Sequence, residues 1–171
     1  MTILAETVAA VTSSVLSNLL AFLTGRSQEE RKQRHQAAHR LVDDLSPLVQ
    51  ELRLFESRRR PKKWKKLLRR FYVTLDELEP VLPYEWRHLK HSIRDCIGNA
   101  VGGNVIFVDL MDVPDDTQLD SPSRWTMHAA DYLDYTCRTV RRWGFIRSPR
   151  RARRIGLANY DNWVRLNGLQ K

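Results

Sequence analysis

Lysine and arginine carry most of the chemistry this chain can offer. The stretch RRRPKKWKKLLRRF, residues 58–71, holds Arg58, Arg59, Arg60, Lys62, Lys63, Lys65, Lys66, Arg69 and Arg70. A second cluster stands at Arg138, Arg141, Arg142, Arg147, Arg150, Arg151, Arg153 and Arg154. A guanidinium presents a planar fork that matches phosphate or carboxylate, whereas an ammonium acts as a compact point charge. Both clusters are candidate anion-binding residues. A net charge of +9 over 171 residues turns the expected partner toward nucleic acid, anionic lipid headgroups or an acidic protein. The alternative is compositional, with an arginine-rich chain wearing solvated basic faces. Trp64 and Trp143 would add stacking surfaces for a base or a lipid interface if exposed, although both stand at core spacing.

Other polar groups suggest less. Asp109, Asp112, Asp115, Asp116 and Asp120 form an acidic run, but no glutamate closes a calcium loop, and a solvated loop able to dock on a basic patch fits better. His35 and His39 lie one helical turn apart, as do His88 and His91, and Glu85 with His88 makes a single Glu-x-x-His unit with no second copy. No metal site is expected. Cys96 and Cys137 have no CxxC or histidine company and read as small core residues in a reducing compartment. No cofactor is expected either, since neither a glycine-rich phosphate loop nor a Gly-x-Ser-x-Gly elbow occurs.

Residues 34–39, RHQAAH, set Arg34 and His39 five positions apart with a polar residue directly after the arginine. In those six residues the chain resembles the HEPN family of α-helical RNases and nucleotide-binding domains, which carry an Arg-polar-x-x-x-His motif across a dimer cleft. The resemblance implies that Arg34 stabilises the developing phosphate charge and that His39 transfers a proton. The leading expectation is non-enzymatic: a small basic module that engages nucleic acid through both clusters. A membrane-associated interaction protein anchored by residues 2–24 is the alternative, and the RNase a lesser one.

Helices must position these groups. In residues 61–78 the apolar Trp64, Leu67, Leu68 and Phe71 recur at steps of three and four, which puts them on the face opposite the lysines. Residues 2–24 hold one charge, Glu6, and place Leu4, Val8, Val11, Val15, Leu19 and Phe22 at helical spacing. Their length suits a bilayer crossing, while Thr12, Ser13, Ser14, Ser17 and Asn18 suit an amphipathic packing or oligomerising helix. No cationic leader or cleavage pattern suggests a removed signal peptide. If the stretch spans, Arg26, Arg31, Lys32 and Arg34 keep the remainder of the chain on the cytoplasmic side.

Gly25 is expected to end that first helix, making residues 1–25 a separate N-terminal hydrophobic or amphipathic arm and residues 26–171 a basic helical domain. A second helix then reaches Ser57, kinked or restarted at Ser46-Pro47. Further helices are expected from Pro61 to Leu78, Tyr84 to Val101, Pro122 to Trp143 with Gly144 beyond the end, and in a short last segment carrying Trp163 and Leu166. Residues 105–108 are the one place a strand is conceivable. The expected fold is all-α: an antiparallel bundle of four principal helices, with an additional N-terminal hydrophobic helix and a short C-terminal helix. The two cationic clusters are expected to converge at one end of it.

Overall fold

The computed structural model describes residues 2–54, 61–102, 109–115, 117 and 123–169, leaving aside the side chains of residues 2–24, 26 and 123. The fold is all-α, and no strand occurs among the described residues. The elements are α1 (Thr2–Arg53), α2 (Pro61–Leu78), a 3-10 turn (Tyr84–Trp86), α3 (Leu89–Gly102), α4 (Ser123–Phe145), α5 (Pro149–Arg153) and α6 (Tyr160–Leu166). The conceivable strand at residues 105–108 lies outside the described residues.

The expected break after residue 24 does not occur. One helix runs through Gly25, because the glycine does not take the left-handed conformation that ends a helix; among the described residues only Gly168 has positive φ. Glycine in a helix interior costs about 1 kcal/mol relative to alanine, too little to interrupt so long a segment. The helix also passes Pro47 without restarting, and ends at Arg53 rather than Ser57. Ser46 caps nothing. Its hydroxyl donates 2.7 Å back to the Val42 carbonyl in the same helix.

Two further boundaries differ. The helix expected over residues 84–101 divides into the 3-10 turn and α3. Gly144 lies inside α4 rather than past its end, because α1 crosses there: a Cβ on Gly144 would stand 2.6 Å from the Ala38 Cβ.

Side-chain bonds fix the directions of the packed helices. Glu51 pairs with Lys63 at 2.5 Å, Asp44 with Arg70 at 2.5 Å and Arg40 with Glu77, so α2 runs antiparallel to α1. Arg53 pairs with Asp131 and Asp134 in the middle of α4, whereas Arg34 donates 3.1 Å to the Ile146 carbonyl just past its end, so α4 is antiparallel to α1 as well. The buried core between them includes Leu41, Leu45, Leu48, Trp64, Phe71, Trp86, Ile93, Leu133 and Val140. Trp64, Leu68 and Phe71 turn inward as their spacing requires, with Leu67 half-buried beside them.

Candidate anion-binding ends of the fold

The antiparallel pairings decide where the cations go. The first half of α2 lies against the Glu51 end of α1, and the last turn of α4 against the Arg34 end. Between those positions α1 extends about 25 Å at about 1.5 Å per residue. Lys62 and Lys63 therefore lie toward one end of the packed helices and the arginines of residues 142–154 toward the other, with Arg138 and Arg141 in a groove beside Arg53, so the described residues of the two clusters do not gather at one end as expected. The reason is register: α2 and α4 both oppose α1, so the start of one and the end of the other cannot coincide.

Much of the α2 cluster is bound within the chain. Lys65 is buried; its ammonium donates to the Val113 carbonyl and pairs with Asp115 at 3.0 Å. Lys63 is held by Glu51, and Arg70 by the buried Asp44 carboxylate. Lys62, Lys66 and Arg69 are exposed. Arg58, Arg59 and Arg60 lie outside the described residues. Asp115, from the acidic run, thus docks on a basic patch of its own chain, and its carboxyl is held below the usual value of 3.8, chiefly by the hydrogen bond from Lys65. Asp116 and Asp120 lie outside the described residues.

The second cluster is open. Arg138, Arg141, Arg142, Arg147, Arg150, Arg151, Arg153 and Arg154 are all exposed, and none forms an ion pair with a carboxylate among the described residues. Arg138 leans on the Asp134 carbonyl of its own helix at 3.4 Å. Arg138 and Arg141 line a shallow groove with Arg53, Asp131 and Asp134, while the others gather around the end of α4 and α5.

Local structure explains that crowding. Ser148 caps α5, its side chain accepting from the Arg151 amide at 3.4 Å, and Pro149 occupies the first turn. Of the five residues of α5 only Ala152 is anchored in the core, so the arginines flanking it face out. The irregular chain beyond α5 satisfies its backbone through side chains of the core. Trp86 Nε1 donates 3.0 Å to the Ile155 carbonyl, Tyr132 Oη donates 3.1 Å to the Ala158 carbonyl, and the Ala158 amide donates 3.0 Å to Tyr135 Oη.

His88 belongs to the same clasp. Its Nε2 donates 2.9 Å to the Leu157 carbonyl, because a carbonyl can only accept, and Nδ1 lies 3.1 Å from Ser92 Oγ. The spacing that suggested a metal ligand serves a structural bond. Among the described residues no group of three histidines, cysteines or carboxylates stands close enough to hold an ion.

Trp64 and Trp143 are fully buried and offer no stacking face. Arg34 and His39 do not share a surface either. Five helical steps turn the second about 140° from the first, and Arg34 is buried whereas His39 is exposed with its ring against His35. Arg34 instead lines a cleft with Arg153, Trp143 and residues 80–85. Sequence reasoning missed that role, though a signal existed: Arg34 falls on the same stripe as Ala38, Leu41 and Leu45, where a charge must be buried.

Among the described residues no helix is long and apolar enough to cross a membrane. The side chains of residues 2–24, the expected anchor or oligomerising arm, lie outside those described. No protein-family model, no curated protein and no solved structure matches the chain.

Proposed function

We propose that this chain is a non-enzymatic helical module of a membrane surface, in which the arginines around the end of α4 and α5 meet anionic headgroups and residues 2–24 lie along the interface. The observation that supports it most is shared position. Arg142, Arg147, Arg150, Arg151, Arg153 and Arg154, none with a carboxylate partner among the described residues, stand toward the Arg34 end of the fold, and α1 reaches that end directly from residues 2–24 in one unbroken helix. An apolar face at helical spacing interrupted by serine, threonine and asparagine suits a helix lying in the interface better than one crossing it. The cytoplasmic leaflet carries the anionic lipids, which makes that side the proposed location. In this reading α1 to α4 form an antiparallel bundle of four principal helices, with α5 presenting the charge.

Vesicle co-sedimentation tests it. The chain is expected to bind phosphatidylcholine vesicles only when they contain phosphatidylserine, and to release with added salt. Each arginine near such a surface contributes about 1 kcal/mol, so changing Arg147, Arg150, Arg151 and Arg154 together to glutamate lowers binding by about a hundredfold or more. Changing Lys62, Lys66 and Arg69 to glutamate leaves it within a few fold. Equal binding to neutral vesicles, a greater loss in the α2 variant, or salt-sensitive binding of DNA or RNA without vesicle binding would overturn the reading.

A further inference from the structure

We infer that the cleft between Arg34 and Arg153 is a binding site for a phosphate monoester, either a free small phosphate ester or the exposed phosphate of a lipid headgroup. The cleft, of about 510 Å³, is walled by α1, the segment 80–85 after α2, the end of α4 and α5. Arg34 is 7 % exposed, yet the only bond its guanidinium makes among the described residues is the one Nη2 donates to the Ile146 carbonyl; its Nε has no partner. A buried cation with an unmatched donor is costly unless a counter-charge arrives.

The surroundings specify the ligand. Burial is the main influence lowering the Arg34 pKa; Glu30 opposes it, and Arg31 and Arg153 add repulsion. Glu30 also lines the cleft but has another interaction, and Glu85, likewise in its wall, is exposed to solvent. Two guanidiniums converging on one cleft match the two charges and several oxygens of a phosphate monoester better than a single carboxylate. Gln33 and Glu85 remain to bond hydroxyls of the group that bears the phosphate. The site stands apart from the membrane reading, since its first probe is soluble and the variants leave Arg147, Arg150, Arg151 and Arg154 in place.

Two arms test it on the full chain. Glycerol 3-phosphate at constant ionic strength is expected to raise the melting temperature of the parent. Phosphatidic acid vesicles are expected to retain the parent beyond phosphatidylserine vesicles of equal charge if the source is lipid. Arg153→Gln, at an exposed position, should weaken the response about tenfold. Arg34→Met should abolish it; because the Ile146 carbonyl then loses its donor, the response is read in each variant as the ligand-induced shift from that variant's own ligand-free melting temperature. A response in the soluble arm alone identifies a free ester, and one that includes phosphatidic acid identifies a headgroup. No response in either arm, or one that survives both substitutions, overturns the site.

Discussion

Gly144 of α4 and Ala38 of α1 meet so closely that adding a Cβ to the glycine would bring two side-chain carbons to 2.6 Å. Gly25, on the exposed surface of α1, has nothing within 4 Å of such an atom. The same substitution should therefore have opposite signs at the two positions. Gly144→Ala forces the helices apart and is expected to cost about 1–3 kcal/mol. Gly25→Ala is expected to stabilise the helix by up to about 1 kcal/mol. Urea unfolding midpoints check both, and Ala38→Gly should recover part of the loss in the Gly144→Ala background. A neutral Gly144→Ala would mean that the crossing is not tight.

Those two glycines also mark what was legible in the chain. The all-α class and the inward face of α2 followed from three- and four-residue spacing, as Trp64, Leu68 and Phe71 demonstrate. Helix ends did not, because a glycine reads alike whether it caps a helix, as expected of Gly25 and Gly144, or admits a neighbouring helix, as Gly144 does. The basic residues were legible as a count but not as a surface. Which of them is neutralised depends on carboxylates distant in sequence: Asp44 for Arg70, Asp115 for Lys65 and Glu51 for Lys63. The relative ends of α2 and α4 depend on tertiary register, which local periodicity does not encode.

Arg70 and Arg69 are neighbours with different work. Arg70 holds the Asp44 carboxylate, whose side chain is only 4% exposed, at 2.5 Å. Arg70→Ala leaves that carboxylate buried without the partner and should cost about 1–3 kcal/mol. Arg69→Ala, at an exposed position, should stay within about 0.5 kcal/mol. Chemical denaturation of the two variants distinguishes them. Equal stabilities would show that Asp44 finds other compensation.

Both thiols should be inert until the fold opens. Burial raises the Cys137 thiol to about 11 and the fully buried Cys96 thiol well above its ordinary value, which leaves little thiolate near neutral pH. Cys96 Sγ also faces the Ala129 carbonyl at 3.6 Å. Iodoacetamide at pH 8 is expected to alkylate neither cysteine in the native chain and both after unfolding in urea, as read by mass spectrometry. Rapid modification of Cys137 alone would locate a local opening of α4.

Asp115 and Lys65 give the fold an acid-sensitive joint. Since the folded carboxyl titrates below 3.8, first because of the Lys65 hydrogen bond and then through the fields of Lys65, Lys62 and Arg69, the charged form favours the docked state. The contribution is present above the ordinary carboxylate range and is lost as the pH falls through the depressed folded value. NMR titration of the Asp115 carboxyl should give a midpoint below 3.8. Lys65→Met should return most of that shift, with Lys62 and Arg69 retaining the remainder, and amide exchange in residues 109–115 should quicken at neutral pH. An unchanged midpoint in Lys65→Met would mean that the carboxyl is governed by its exposed neighbours, and that the acidic segment is held on α2 by the Lys65 bond to Val113 rather than by charge.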